Sequence, residues 1–358
     1  MSRTSLIPWG WDDDWELELK DYPEDDPIVG RVTAVFRDQY LVRCAEREVR
    51  AEISGKLQFG AKAPPDYPCA GDWVVLKDTQ GELCIIEYLI PRKNFLSRKS
   101  AGTGGQEQSL AANVDIVFIV SDFENDFNLW RIERYLALAR AENIRPIVLL
   151  NKSDLAPHPE VCVKKVKEIF PDGLVYTLSA VKREGLEVIH QNLEGDRTGI
   201  FLGSSGVGKS TLLNALTGSE IQKTSPVQAR DGQGVHTTSH RQIFALPQGG
   251  LIIDTPGLRE IQPWKDATEL AGVFEDIDLL AAQCKFGDCR HDSEPGCAVK
   301  EALGKGLLAA GRFESYLRLQ RDVEALKSKQ DPSMRPDTKK GRENIERAKK
   351  QNPERKKI

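Results

Sequence analysis

The sequence predicts an α/β protein with a small β-barrel before its main domain and a helical, cysteine-containing region after it. Across residues 28–96, short alternating apolar and polar runs are separated by glycine, proline and aspartate, a pattern typical of antiparallel strands. Across 111–262, apolar strands alternate with helical segments, which indicates a largely parallel sheet. After residue 263 the chain is charged and helical and contains three clustered cysteines. A chain of 358 residues has room for two or three such domains.

The first of these regions has about five candidate strands. They begin near Val29 and continue through Tyr40–Cys44, Glu48–Ile53, Asp72–Leu76 and Leu83–Ile90. Five short strands fit a barrel of the oligonucleotide/oligosaccharide-binding (OB) type. The strand pattern alone leaves a structural or protein-docking barrel as open as an RNA-binding one.

The segments outside these domains differ sharply in charge. Residues 1–27 form an acidic extension: Trp9–Pro27 has nine acidic residues and one lysine, which is typical of a solvated tail. Residues 97–110 are rich in glycine and serine and indicate a linker. The helical, cysteine-containing region, 263–328, is followed by a basic tail, 329–358, expected to be disordered. Its last twenty residues have nine basic and three acidic side chains, which suit either a solvated end or a polyanion contact.

The composition and the hydropathy pattern argue against a secreted or membrane-spanning protein. Hydrophobic residues make up 40% of the chain and charged residues 29%, and no apolar stretch approaches 18 residues. The first residues contain no basic segment leading into an apolar run. We therefore expect a cytoplasmic protein with no membrane partner.

A phosphate-binding loop lies in the middle of the α/β region. Ile200–Leu202 reads as the end of a buried strand, the next residues match G-x4-G-K-S, and a helix closed by Gly218 follows. Glycines allow backbone N–H groups to turn towards phosphate oxygens. Lys209 is expected to reach the β- and γ-phosphates and the Ser210 hydroxyl to ligate Mg²⁺. The predicted nucleotide-binding residues of this loop are Gly203, Ser204, Ser205, Gly206, Val207, Gly208, Lys209, Ser210 and Thr211.

A base-reading motif, N-K-S-D, comes earlier in the chain. Asp154 can accept both N1–H and N2–H₂ of guanine, whereas adenine would leave its charge unpaired. Asn151 is expected to hold the loop near the base and the Lys152 stem to cover its face. Ser179-Ala180 fits the loop that lends a backbone N–H to guanine O6. The cofactor is therefore expected to be GTP or GDP; an ATPase or kinase conflicts with N-K-S-D.

The switch elements follow the phosphate loop. Asp254 and Gly257 belong to a D-x-x-G motif, in which the carboxylate holds Mg²⁺ through water and the glycine N–H senses the γ-phosphate. Asp231–His240 is polar, has no regular period and is placed to act as a first switch. Thr238, in preference to Thr237, is expected to complete the Mg²⁺ shell.

A second metal site is predicted near the end of the chain. Three cysteines and one histidine within 14 residues suit one structural Zn²⁺ bound tetrahedrally by protein alone. A redox pair or a chance cluster is the alternative. The predicted ligands are Cys284, Cys289, His291 and Cys297.

The order of these motifs is rotated, because the base-reading loop precedes the phosphate loop instead of following it. Together with the barrel and the zinc cluster after D-T-P-G, this order resembles the RsgA (YjeQ) family of ribosome small-subunit-dependent GTPases. The resemblance implies a circularly permuted P-loop GTPase domain with an N-terminal OB-fold barrel and a C-terminal helical zinc-binding domain. It also implies a GTPase that binds the small (30S) ribosomal subunit and its rRNA late in maturation and leaves after hydrolysis. A monomer is expected.

The catalytic residues complete the motif set. Leu258 occupies the position where many GTPases have a water-orienting glutamine, so intrinsic hydrolysis should be slow and a partner should accelerate it. The resemblance points to His236 as the residue that orients the water instead. A role for His236 in contacting RNA or solvent is the alternative. The other predicted catalytic residues are Lys209 and Thr238. An RNA-binding assembly factor with a passive guanine-nucleotide switch is the alternative function.

Overall fold

The computed structural model divides the chain into two units, Met1–Trp264 and Lys265–Ile358. The predicted basic tail, 329–358, lies outside the residues that the structure describes. The described residues are 3–20, 22–36, 39–79, 83–99, 107–123, 127–218, 241–254, 274–287, 289–292, 294–308, 310–314, 316–317 and 320–321.

The barrel has the predicted five strands. They follow the order β1-β2-β3-β5-β4, and β4 pairs back onto β1, which closes the barrel. The β3–β5 pairing is parallel and the others are antiparallel. Buried side chains such as Val32, Val74 and Ile86 fill its interior, and this closure confirms the expected OB-type barrel. The strands are β1 (Ile28–Val35), β2 (Tyr40–Cys44), β3 (Glu48–Ile53), β4 (Trp73–Lys77) and β5 (Leu83–Leu89), and two short helices in this part of the chain are α1 (Asp13–Glu18) and α2 (Gly55–Gly60).

The acidic N-terminal segment packs onto the barrel, so the expectation of a solvated tail is wrong for its described residues. Trp11 and Trp15 are buried against Trp73 of β4, with the Trp11 and Trp73 ring centroids 4.7 Å apart. Asp12 caps α1 by accepting a hydrogen bond from the Trp15 backbone N–H at 3.2 Å. The high net charge of the segment concealed the apolar side chains that its short helix buries.

Arg31 of β1 connects three parts of this unit. Its buried guanidinium donates hydrogen bonds to the backbone carbonyls of Trp9, Gly71 and Asn113. Burial lowers the pKa of Arg31 to about 10, although the nearby carboxylates oppose this shift. The N-terminal segment, the barrel and the chain entering the next sheet therefore share one buried cation.

The expected linker 97–110 is instead part of a β-hairpin at both of its described ends. Strands β6 (Phe95–Lys99) and β7 (Glu107–Ala112) pair antiparallel. Leu96, Leu110 and Ala111 are fully buried in the core of the α/β region. The buried apolar residues of the two strands, which the glycine and serine content did not reveal, favour this pairing. The remaining domain boundaries stay predictions.

The α/β region is built on six strands in the order β10-β9-β8-β11-β13-β12. The first five are parallel, and β12 forms an antiparallel hairpin with β13. Apolar clusters cover both faces, as expected for continuous apolar strands. The strands are β8 (Ile116–Ser121), β9 (Arg145–Leu150), β10 (Leu174–Thr177), β11 (Thr198–Leu202), β12 (Arg241–Ala245) and β13 (Leu251–Asp254), and the helices are α3 (Leu129–Ala141), α4 (Pro159–Ile169), α5 (Glu187–Leu193) and α6 (Lys209–Thr217).

The barrel and the α/β sheet are joined by backbone pairing. Ala34 and Val35, at the end of β1, lie opposite Gln242 and Arg241 of β12 in antiparallel register. The two sheets therefore form one eleven-stranded sheet. Strand β12 begins directly after the predicted first switch, Asp231–His240, whose residues lie outside the described structure.

The C-terminal unit contains helices α7 (Glu275–Ala281) and α8 (Ala298–Gly304). The rings of Phe274 and Tyr316 meet edge to face, with centroids 5.5 Å apart. Within the described residues of either unit, no helix is long and apolar enough to cross a membrane.

Candidate nucleotide-binding site and metal centre

The phosphate loop adopts a conformation that its glycines permit. Gly206 and Gly208 have φ angles of +90° and +98°, which side-chain-bearing residues rarely adopt. A Cβ at Gly203 would lie 2.3 Å from the Val120 carbonyl oxygen, so the loop packs directly against the end of β8. Gly208 precedes α6, as the strand–loop–helix motif predicts.

Lys209 bends back across this loop. Its Nζ donates hydrogen bonds to the carbonyl oxygens of Gly203 and Ser204 at 2.7 and 2.6 Å. The Ser204 Oγ is buried and has no hydrogen-bond partner among the described residues. A cation and an unsatisfied buried hydroxyl in one glycine-rich loop fit a phosphate group, because each can donate to its oxygens. Ser210 and Thr211 lie in the first turn of α6.

Asn151 connects the base-reading loop to two other motifs. Its Nδ2 donates to the Val207 carbonyl oxygen at 2.8 Å, and its Oδ1 accepts from the Ala180 backbone N–H at 3.0 Å. The side chain is only 1% exposed. Three motifs separated by up to about sixty residues are thus brought together at one edge of the sheet, as the sequence predicts.

Asp154 lies beside the loop after β10. Ser179 Oγ donates to Asp154 Oδ1 at 2.6 Å and accepts from the Lys182 backbone N–H at 3.1 Å. Ser179 and Glu184 exchange two backbone hydrogen bonds, which fix the loop that contains Ala180. A half-buried carboxylate held on one oxygen can still accept N–H groups of a guanine edge.

Asp122 is a site residue that sequence reasoning missed. Lys152 has a left-handed backbone, with φ of +66°, and its Nζ donates to Asp122 Oδ2 at 2.9 Å. The available signal was position: Asp122 directly follows β8, whose apolar run ends at Val120. Such residues lie at the same sheet edge as N-K-S-D.

Asp254 ends β13 and is buried, at 4% exposure. Because β13 pairs in parallel with β11, Asp254 and the phosphate loop follow neighbouring strands at the same edge. The other predicted switch residues, His236, Thr238, Gly257 and Leu258, lie outside the described residues.

The predicted zinc ligands form one compact group. Their donor atoms all lie within 4.8 Å of one another. Cys284 Sγ lies 3.6 Å from His291 Nδ1 and 3.9 Å from Cys297 Sγ, and the last two atoms are 3.4 Å apart. A tetrahedral Zn²⁺ with its usual Zn–S and Zn–N bond lengths separates its ligands by ~3.5–3.8 Å. These residues therefore fit one zinc ion.

The surroundings of this cluster also suit a metal. His291 is buried, and burial lowers its pKa, although Glu294 acts in the opposite direction. The lowered pKa favours the neutral imidazole, which can donate a lone pair to a metal. Its ring packs near Tyr316, with centroids 6.1 Å apart. Cys297 directly precedes α8, so a ligand and a helix start coincide.

Comparison with known proteins places these features in one family. The family model for the RsgA GTPase matches residues 89–264. The small ribosomal subunit biogenesis GTPase RsgA of Opitutus terrae is 39% identical over 338 residues, which cover 92% of each chain. The protein of the same name from Methanosarcina acetivorans is 42% identical over 312 residues, which cover 87% of this chain and 83% of the relative.

Solved structures agree with this likeness. YjeQ from Thermotoga maritima is 26% identical, with a TM-score of 0.62, and the match covers 83% of this chain and 98% of YjeQ. YloQ, described as a circularly permuted GTPase, has the same fold, with a TM-score of 0.60, 23% identity, and coverage of 86% of this chain and 98% of YloQ. The motif order, the sheet edge and these matches agree: the chain belongs to the RsgA family of circularly permuted GTPases.

Proposed function

We propose that this protein binds the small ribosomal subunit late in its maturation and hydrolyses GTP to leave it. The observation that carries the nucleotide part is Asn151, which hydrogen-bonds to both the phosphate loop and the Ser179-Ala180 loop. The ribosomal part is supported by family membership, since relatives at 39% and 42% identity bear the name small ribosomal subunit biogenesis GTPase.

Guanine is the base that this site fits. Asp154 accepts N1–H and N2–H₂, while its other contact, Ser179 Oγ, fixes the carboxylate in place. The Ala180 backbone N–H donates to Asn151 Oδ1, which holds the Ser179-Ala180 loop beside N-K-S-D, and this loop lends a backbone N–H to guanine O6. Lys152 covers the face of the base.

Hydrolysis depends on the phosphate loop and the switches. Lys209 leaves the carbonyl oxygens of Gly203 and Ser204 and pairs with the β- and γ-phosphates. Ser210 and Thr238 would ligate Mg²⁺, Asp254 would hold it through water, and the Gly257 N–H would contact the γ-phosphate. Bound there, Mg²⁺ would supply positive charge against the charge that develops on the phosphate oxygens.

The attacking water needs a group that the chain lacks after D-T-P-G. Leu258 cannot orient water, so the intrinsic rate is low, and His236 takes that role when the subunit is bound. The β1–β12 pairing supports this coupling, because Val35 of the barrel lies opposite Arg241, the first residue after the switch segment. A partner bound to the barrel therefore acts on a strand that begins at Arg241, a few residues after His236 and Thr238 in the chain.

The remaining parts serve attachment. The barrel and the zinc-binding unit contact rRNA, with one structural zinc held by the Cys₃His cluster. The protein works as a cytoplasmic monomer. The alternative, a passive guanine-nucleotide switch, has no need of Mg²⁺ ligands, whereas Ser210 and Asp254 both lie at the loop's sheet edge.

The test is phosphate release from GTP, titrated with purified small subunits. Turnover should be slow alone and rise with subunit concentration. His236→Ala should keep GDP affinity and lose at least about a hundredfold of the stimulated rate, the usual contribution of a positioned water-activating group. If His236→Ala leaves the stimulated turnover unchanged, His236 does not orient the attacking water. If small subunits do not stimulate the wild-type protein at all, the passive guanine-nucleotide switch is favoured.

A further inference from the structure

We propose that Asp122 is a positioning residue for the guanine base: it holds the Lys152 side chain across the base and so slows nucleotide release. This inference rests on the proposed guanine-nucleotide function. It adds a residue that belongs to none of the G-x4-G-K-S, N-K-S-D, S-A or D-x-x-G motifs.

The Asp122–Lys152 pair is partly removed from water. The Asp122 side chain is 4% exposed and that of Lys152 is 24% exposed, and Nζ and Oδ2 are 2.9 Å apart. A hydrogen bond between two charged groups in such surroundings is stronger and better defined than a surface ion pair. The pair is therefore able to fix the direction of a long, flexible side chain.

The sheet brings the two residues to the same height. Ser121 of β8 lies opposite Leu150 of β9, and the Asn151 backbone N–H donates to the Ser121 carbonyl oxygen at 2.8 Å. Asp122 directly follows Ser121 in the chain, and Lys152 follows Leu150 by two residues. The two residues therefore come at adjacent strand ends. The left-handed backbone of Lys152, at φ of +66°, is a conformation that an L-residue adopts at an energetic cost. Such a cost is typical of functional sites.

The base-reading loop is consequently held from both sides. On the β10 side, Ser179 Oγ binds Asp154, the residue that reads the guanine edge. On the β8 side, Asp122 binds Lys152, whose methylene stem covers the face of the base. Asp154 therefore determines which base binds, and Asp122 determines how firmly the covering side chain stays over it.

This division of roles predicts a specific kinetic pattern. Without the Asp122 carboxylate, the Lys152 ammonium loses its anchor and the stem leaves the base more often. Dissociation of GDP and of GTP should accelerate by the same factor, since the contact is to the base and not to the γ-phosphate. Discrimination against adenine should stay, because Asp154 is intact.

The experiment is a double-mutant cycle on dissociation of fluorescent mant-GDP and mant-GTP from the full chain. Asp122→Asn should accelerate release of both nucleotides about tenfold, the effect expected from losing one charge-assisted hydrogen bond. Lys152→Met should act similarly, and the double variant should be no faster than either single variant. Asp115→Asn is the matched control: it lies at the other end of the same strand, accepts the Thr198 N–H, and should leave both rates unchanged.

Three results overturn the proposal. They are an unchanged rate in Asp122→Asn, effects that multiply in the double variant, and acceleration of only one nucleotide. Should Asp122→Asn fail to fold, Lys152→Arg and Lys152→Met decide: arginine still pairs with Asp122 and keeps slow release, and equal rates overturn the inference. A wild-type chain that binds no mant-GDP contradicts the proposed function instead.

Discussion

Asn151 offers the most direct test of how the nucleotide site is assembled. Asn151→Ala removes an amide that donates to the Val207 carbonyl oxygen and accepts from the Ala180 N–H. Both partner residues are buried, at 0% and 4% exposure, so neither group gains a water molecule easily when the amide is lost. The substitution therefore removes both hydrogen bonds by which this predicted nucleotide-binding residue joins the phosphate loop to the Ser179-Ala180 loop.

The magnitude follows from two unpaired backbone groups. Each buried group left without its partner costs about 1–3 kcal/mol, or about 2–5 kcal/mol together after partial relaxation. Part of this cost falls on folding and part on binding, because nucleotide binding requires the loops to be aligned. A share of about 2 kcal/mol in the binding step corresponds to a roughly 30-fold rise in the Kd for GDP.

The assay is equilibrium titration of mant-GDP, with thermal unfolding measured in parallel. Asn192→Ala is the control, since Asn192 donates one hydrogen bond to Val188 of its own helix, away from the site. We expect the control to bind GDP within about twofold of wild type, as for a surface substitution. A Kd for Asn151→Ala equally close to wild type would refute the idea that this amide aligns the loops.

Two further substitutions test the packing and metal predictions. Trp15→Ala should remove about 3–5 kcal/mol of packing energy, the usual cost of deleting a buried aromatic ring, and release the N-terminal segment to limited proteolysis; unchanged cleavage would contradict its buried position against Trp73. Cys297→Ser should lower the zinc content measured by elemental analysis and destabilise the C-terminal unit, because three remaining ligands bind zinc less tightly, while mant-GDP affinity stays within about twofold. Full zinc occupancy in Cys297→Ser would exclude this cysteine as a ligand.

Short motifs can be recognised in the sequence because the local structure that they require spans only a few residues. G-x4-G-K-S needs only one turn between a strand and a helix, and Gly206 and Gly208 have the positive φ angles that this turn requires. The compact Cys₃His group likewise follows from the 14-residue span of Cys284 to Cys297, which leaves little freedom of placement. The rotated motif order did not prevent the prediction that the motifs meet at one site, because parallel strands bring their carboxyl ends to one edge of the sheet in any chain order.

Net charge and composition were weaker guides. Nine acidic residues predicted a solvated N-terminal extension, but Trp11 and Trp15 are buried against Trp73. A count of charges does not reveal an apolar surface elsewhere in the chain on which such side chains can pack. Glycine and serine predicted a linker at 97–110, although Leu96 and Leu110 anchor a hairpin. In both cases long-range burial outweighed local composition.

The sequence by itself indicated the guanine nucleotide, the four residues that could hold zinc, the five-stranded barrel and the permuted α/β domain, because each depends on residue types at short spacing. Only the tertiary structure decided that Asp122 faces Lys152, that Asn151 joins three motifs, and that β12 pairs with β1 of the barrel. These contacts join residues far apart in the chain, and a hydrogen bond between them leaves no periodic signal in either segment. The physical reason is that sheet register, set by burial across the whole domain, determines which distant residues meet.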